Sequence, residues 1–288
     1  MKLIATLFEL NRIKDVLTHA DGIVIGHESF GTRLTQSFEP ALIVEALEQA
    51  NHMGKSLFLM ANQLMDDAQL EAFALFIQKL PAKEFTGIIV ADIGAVMTLK
   101  MLGLGHLAIY HPETLHTNAA DFNFLSQLGI KGAFVAKEIL LEDIVTIGKH
   151  KAYDLFMTGH GHLNMFYSKR HLIENYTQFA SIKNQYVHQQ NLKVIESERP
   201  DEPYPIFEDL AGTHVFRHHV LSSHTVLEQL KPYVDYMIID TLFKDDDYAI
   251  DILKLYRDYK DDQVQTIQNK YQELWDTGFY HKKTIYKK

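Results

Sequence analysis

The densest group of potentially reactive side chains in this sequence follows Thr158. An apolar run ends there, and the chain continues with His160 and His162, separated by one glycine, and then with Asn164 and Tyr167. In α/β proteins, a buried strand whose carboxyl end opens onto glycines and hydrogen-bonding side chains commonly carries a site. We therefore expect the end of this strand to line a binding or catalytic pocket.

The two histidines allow two interpretations. Side chains two residues apart on a strand share a face, so His160 and His162 could reach one metal ion, with Glu138 or Asp92 completing the site. Alternatively, one histidine lines the pocket and the other bonds the backbone. A His-x-His tripeptide alone is a weak signal and the HExxH helix of zinc proteases is absent, so metal binding stays open.

Cations follow these residues directly. Lys169 and Arg170 come after Phe166 and Tyr167, and such a mixture of charge and aromatic faces can hold phosphates and stack bases. A solvated loop or hairpin is the alternative. Both interpretations stay open here; if the ligand is RNA, Lys169 and Arg170 are the candidate contacts to its backbone.

Other catalytic signatures are missing. The sequence contains no GxSxG nucleophile motif and no P-loop, and Gly103-Leu104-Gly105 lacks the third glycine of a dinucleotide fingerprint. It also has no cysteine, which excludes disulfides, thiolate-ligated iron–sulfur clusters and a cysteine nucleophile.

Bulk properties are those of a globular protein. The 288 residues are 47% hydrophobic and 23% charged, which suits one large α/β barrel or two smaller domains. The net charge of −9 requires any contact with nucleic acid to use a local basic patch. The N-terminus is not typical of a signal peptide, and no apolar run approaches the length of a membrane span. We expect a cytoplasmic protein that does not enter membranes.

Short apolar runs alternate with helical patterns such as Ala41–Met53, which favours parallel strands covered on both faces. Eight such units predict a (β/α)8 TIM-like barrel, with a doubly wound open sheet as the alternative. The predicted strands are Leu3–Thr6, Gly22–Gly26, Ser56–Ala61, Gly87–Ala91, His106–Tyr110, Gly132–Ala136, Tyr153–Thr158 and Tyr236–Ile239.

A long connection separates the last two predicted strands. We interpret residues 161–232 as a β-rich insertion between strands 7 and 8, with extended segments at Asn191–Ser197, Tyr204–Phe207 and Thr213–Arg217. Residues 1–260 would then form one barrel domain that includes the insertion. Residues 261–288 would form a C-terminal helix and a basic tail.

Polar side chains follow the predicted strands. In a barrel these positions converge on one mouth, although strand ends are often polar for structural reasons, and Asp92 and Asp240 could instead cap helices or form turns. The candidates are His27, Asn62, Asp92, His111, Lys137, Glu138, His160 and Asp240.

The chain resembles peptidase family U32, whose central motif is a strand followed by His-Gly and an aromatic-Ser-Gly-Arg run. Phe156–Arg170 occupies that place. The resemblance extends over nearly the whole sequence, at residues 20–26, 62, 89–94, 136–138, 204–209 and 256–258.

Three departures from the family pattern stand out. Leu163 and Asn164 occupy positions where many members carry cysteines for an iron–sulfur cluster. Lys137 stands in place of the family's arginine. Asp240 ends a strand from which the family's lysine is missing. The chain is similar to short, cysteine-free members from Gram-positive bacteria that occur beside a longer paralogue.

The resemblance implies tRNA modification, namely prephenate-dependent 5-hydroxylation of wobble uridine, with tRNA and the longer paralogue as partners. In this reading His160 or Glu138 is the general acid or base, Lys137 binds an anion, and Asp92 lines the mouth with them. The substrate-binding group is His27, Asn62, His111, His162, Asn164, Tyr167 and Asp240.

Two alternatives remain from the sequence. The family's collagenase-like label implies a peptidase, but no activated nucleophile is recognisable. A non-catalytic partner subunit is the other.

Overall fold

The computed structural model describes residues 1–183, 186–258 and 261–281, and its centre is a closed barrel of parallel strands. The barrel confirms the predicted fold class and rules out the open sheet. Its strands are β1 (Lys2–Thr6), β2 (Gly22–Gly26), β3 (Ser56–Ala61), β4 (Gly87–Val90), β5 (Ala108–Tyr110), β6 (Gly132–Phe134), β7 (Asp154–Ser168) and β11 (Tyr236–Ile239).

Each barrel strand pairs with its neighbour in chain order, and β11 closes the ring by pairing with both β7 and β1. Alternate side chains point inward and fill the barrel, as the two-residue period of a strand requires. Phe156 lies at the centre, stacked on Tyr236 at 4.4 Å and edge-on to Phe58. The interior is therefore a packed core, and open space begins only above it.

Helices surround the barrel and bury their apolar faces against it. In α2, for example, Ile43, Ala46, Leu47 and Ala50 recur at three- and four-residue spacing and are buried. The helices are α1 (Ile13–His19), α2 (Pro40–His52), α3 (Asp67–Gln78), α4 (Ile93–Met101), α5 (Ala119–Phe124), α6 (Leu141–His150), α7 (Leu172–Phe179), α8 (Leu227–Leu230), α9 (Asp246–Asp258) and α10 (Asp261–Tyr271).

Strand β7 corrects one prediction. The sequence suggested a strand that ends at Thr158, but β7 continues to Ser168. Beyond the barrel rim it pairs antiparallel with β10 (Gly212–Ser222), so that His162 lies opposite Val220 and Tyr167 opposite His214. The polar segment therefore forms a sheet that stands above the mouth.

The insertion contains α7, β8 (Lys193–Glu196), β9 (Arg199–Asp209) and β10. The sequence placed Arg199–Pro203 between strands, whereas β9 begins at Arg199. Pro200 and Pro203 have no N–H to donate, but they are tolerated in β9 because β8 and β9 lie at the edge of the sheet. The short β12 (Trp275–Asp276) pairs with β10.

Smaller differences occur at element ends. His106 and Leu107 form a 3-10 turn with Gly105 instead of starting β5, and β6 ends at Phe134, two residues before its predicted end. Residues 282–288, which include most of the predicted basic tail, lie outside the described residues. In the part of the chain that is described, no helix has the length and apolar character needed to cross a membrane.

Candidate functional site

A cavity of about 80 Å³ lies at the carboxyl ends of the barrel strands, beneath the insertion sheet. Several residues predicted for the site line it together, because parallel strands bring their ends to one mouth. These are Asn62, His111, Lys137, His162, Asn164 and Asp240. The sequence therefore located the mouth and much of its polar lining.

A charged cluster closes one side of this cavity. The Glu113 carboxylate accepts hydrogen bonds from the Arg33 guanidinium and from Lys137 Nζ, the latter at 2.7 Å. Arg33 lies in the loop after β2, Glu113 in the loop after β5 and Lys137 in the loop after β6. Burial alone would raise the pKa of Glu113, but Arg33, His111 and Lys137 outweigh it and hold that pKa well below its ordinary value. Glu113 is therefore ionised.

The backbone of this cluster is unusual at two positions. Thr114 N donates to Pro112 O at 2.7 Å, which makes Glu113 the centre of a three-residue turn, and its φ is +67°. Arg33 also has a positive φ, +56°. Both are non-glycine residues in the left-handed region, which stores strain and is commonly found at functional sites.

Arg33 is held independently of Glu113. Asp209 Oδ2 accepts from Arg33 N and from Thr32 Oγ1, both at 2.8 Å, and Asn62 Oδ1 accepts from Thr32 N at 2.9 Å. The insertion sheet, through Asp209, and strand β3, through Asn62, thus fix the loop that presents the guanidinium.

His214 completes this support. Its Nε2 lies 2.9 Å from Thr32 Oγ1, whose proton already goes to Asp209, so His214 Nε2 is the donor. Its Nδ1, 3.5 Å from Arg33 Nη1, is then the acceptor. Burial lowers the pKa of His214, which agrees with a neutral ring. Tyr167 stacks on it at 4.7 Å.

His111 lines the cavity and contains an unsatisfied buried nitrogen. Its ring stacks on Phe134 at 4.0 Å, its Nε2 lies 3.9 Å from Glu113 Oε1, and its buried Nδ1 has no hydrogen-bond partner among the described residues. Burial lowers the pKa of His111 to about 4. The ring is therefore neutral at pH 7.

The pKa of Asp240 is shifted in the opposite direction to that of His111, upward. Burial raises the pKa of Asp240 to about 6, although the Leu242 amide, which donates to its Oδ1 at 3.1 Å, and Arg33 both favour the charged form. A carboxyl group with this pKa exchanges its proton near neutral pH. Asp240 can therefore act as an acid or a base within the cavity.

His160 lies elsewhere. Between Thr158 and His160 the pairing of β7 with β11 shifts by one residue, a bulge at Gly159, and a Cβ there would lie 2.2 Å from Met237 Cγ. The bulge breaks the two-residue alternation. His160 is consequently fully buried, with Nε2 2.7 Å from the Tyr248 hydroxyl of α9, and does not line the cavity.

The remaining predicted residues are dispersed. Asp92 caps α4 by accepting from Ala95 N, and Glu138 is exposed. His27 packs on Phe76 outside the cavity lining. The exposed cations Lys169 and Arg170 lie at the far end of β7. No group of three or more metal-binding side chains is present among the described ranges.

Sequence reasoning missed Arg33, Glu113, Asp209 and His214 as site residues. Arg33 lies seven residues after β2, too far for a strand-end rule, and Asp209 and His214 belong to the insertion. Asp209 does end one of the segments that resemble the family.

The fold defines a (β/α)8-barrel protein, and its cavity lies at the carboxyl mouth, where such barrels usually carry their sites. The sequence model of peptidase family U32 matches residues 9–284. The chain belongs to this family.

Two curated relatives and one solved structure are similar to it. The tRNA hydroxylation protein P2 of Bacillus subtilis (strain 168) is 24% identical, covering 93% of each chain. The tRNA hydroxylation protein P of Haemophilus influenzae is 23% identical over 54% of this chain and 35% of its own length. The U32 peptidase Mk0906 matches with a TM-score of 0.52 at 14% identity, over 84% of this chain and 92% of that one, which supports the fold alone.

Proposed function

We propose that this chain takes part in tRNA hydroxylation, as the 5-hydroxylation of wobble uridine, in the cytoplasm and together with a longer paralogue. The observation that carries the proposal is the similarity to tRNA hydroxylation protein P2 of Bacillus subtilis across 93% of both chains. Similarity over the full length includes the barrel, the insertion and the mouth between them. Similarity confined to one motif would be much weaker support for a shared function.

The cavity suits a small anionic ligand. Arg33 and Lys137 converge at its wall, each with N–H groups beyond those that bond Glu113, and such donors bind carboxylates or phosphates. Prephenate, implied by the family resemblance, is a ligand of this class. Asp240 is the proton-transfer group in this proposal, because it lines the cavity and has a pKa of about 6.

The exposed cations Lys169 and Arg170 are the proposed RNA contacts. They follow the end of β7, the strand that also carries His162 and Asn164 into the cavity wall. The longer paralogue would supply the groups that this cysteine-free chain lacks.

A peptidase is not favoured by the geometry. Thr32, His214 and Asp209 bring together a hydroxyl, an imidazole and a carboxylate, but both oxygen groups face the same nitrogen, Nε2. In a catalytic triad the acid binds the nitrogen opposite the nucleophile. The Thr32 hydroxyl also donates to Asp209, so this group supports Arg33 instead of activating a nucleophile.

Mass spectrometry of tRNA nucleosides from a strain that lacks the gene tests the proposal. We expect loss of nucleosides derived from 5-hydroxyuridine, and recovery when the wild-type gene is returned. Unchanged nucleosides in the deletion strain would contradict the proposal. Full recovery by an Asp240→Asn, Lys137→Ala double variant would favour a non-catalytic partner subunit.

A further inference from the structure

We propose that Glu113 is a built-in competitor for the anionic ligand, with its carboxylate occupying the place that the ligand's anionic group takes on Arg33 and Lys137. The inference deepens the proposed function and rests on it for the charge of the ligand. In this account the free protein holds its own anion at the mouth, and ligand binding exchanges that anion for another.

The backbones that carry the two cations are held by contacts that do not involve the Glu113 side chain. The Arg33 amide bonds Asp209 at 2.8 Å, and its guanidinium lies 3.5 Å from His214 Nδ1. Lys137 follows β6 closely. The amide of Ala136 before it bonds the His116 carbonyl at 2.9 Å, and the Lys137 amide donates to the Glu113 carbonyl at 3.4 Å. Departure of the Glu113 side chain therefore leaves Arg33 in place and the Lys137 backbone anchored, so that both side chains can donate to an incoming anion.

Glu113 is the most exposed member of the cluster, and its backbone is strained. Its side chain is 26% exposed, compared with 13% for Arg33 and 14% for Lys137. It sits at the centre of a tight turn with a φ of +67°. This partial exposure gives the carboxylate a path into water, and an incoming anion replaces the two ion pairs that the side chain gives up.

His111 lies in the cavity lining beside Glu113, and one of its ring nitrogens is unsatisfied. His111 Nδ1 is buried and unbonded among the described residues, although buried polar atoms are nearly always satisfied. Because Nδ1 itself is not exposed to the cavity, the ligand class follows from Arg33 and Lys137 alone and is a small carboxylate or phosphate.

Isothermal titration with two probes, malonate and inorganic phosphate at constant ionic strength, tests the exchange. We expect Glu113→Gln to bind at least one probe about tenfold more tightly than the wild type, since the competing charge is gone and the shape is kept. Glu142→Gln, an exposed residue of α6, is the matched control and should bind like the wild type. Adding Lys137→Ala to Glu113→Gln should abolish the gain.

Thermal unfolding keeps the test informative if the variant is less stable. Glu113→Gln leaves two cations unpaired, so the Tm of this variant should fall in chloride buffer. The better-bound probe should raise the Tm of Glu113→Gln more than it raises the Tm of the Glu142→Gln control. Equal affinity of Glu113→Gln and wild type would overturn the competitor role alone. Absence of binding to every variant would overturn the anion site as well, whereas the tRNA nucleoside assay is independent of both results.

Discussion

Arg33 and Glu113 meet at the barrel mouth from loops that follow β2 and β5, and both have positive φ angles. Their ion pair, shared with Lys137, forms one wall of the cavity. The backbone strain at both partners indicates that the surrounding structure specifies this contact, since a left-handed non-glycine residue persists only where its neighbours compensate for the cost.

The buried histidine beside this pair predicts loss of stability in acid. Burial lowers the pKa of His111 from 6.5 to about 4, so the unfolded chain binds a proton in this window that the folded chain does not. Stability should therefore fall as the pH drops from about 6.5 to 4. His111→Gln should reduce this slope in urea unfolding, whereas His106→Gln, on the surface, should not. If the free energies of unfolding of His111→Gln and wild type changed with pH in parallel, the lowered pKa of His111 would be contradicted.

Asp240 predicts the opposite pH dependence. Its pKa is raised from 3.8 to about 6, so its contribution to stability is present below about pH 3.8 and is lost as the pH rises through 6. Asp240→Asn should therefore gain stability relative to the wild type as the pH increases from 4 to 7, measured by urea unfolding at each pH. The exposed Asp201→Asn serves as control. A stability difference that does not change with pH would show that Asp240 is not perturbed.

His160 should behave as a packing residue. Its ring lies among Tyr248, Tyr256 and Trp275 with no exposure, so His160→Ala should lower the free energy of unfolding by about 2–4 kcal/mol through cavity formation and lost hydrogen bonds. tRNA hydroxylation per folded molecule should persist. A stable His160→Ala protein without activity would instead assign His160 to catalysis.

Charge reversal at the end of β7 tests the RNA contact. If Lys169 and Arg170 bind phosphates, changing both to Glu should weaken tRNA binding and reduce the slope of log affinity against log salt by about one per contact. Fluorescence anisotropy with labelled tRNA measures both quantities. Lys83→Glu alters an exposed cation before β4, at the opposite end of the barrel, and should leave the slope unchanged. An equal effect of Lys83→Glu would show that only overall charge matters.

The sequence predicted the barrel because its strands are short, apolar and regularly spaced. It also placed Asn62, His111, Lys137 and Asp240 correctly at the mouth, since position relative to a strand end is a local property.

Two kinds of feature were not predictable in this way. The bulge at Gly159 shifts the register by one residue and turns His160 outward, and periodicity contains no sign of such a shift. Asp209 and His214 reach Arg33 from about 180 residues along the chain, through an insertion whose docking depends on tertiary contacts.

The most direct test of the account is complementation of the deletion strain with Arg33→Ala and Lys137→Ala, read out by mass spectrometry of tRNA nucleosides. Both variants, folded by circular dichroism, should restore less than about a tenth of the 5-hydroxyuridine derivatives that wild type and Lys83→Ala restore. Full restoration by either cavity variant would contradict a role for this mouth in tRNA hydroxylation.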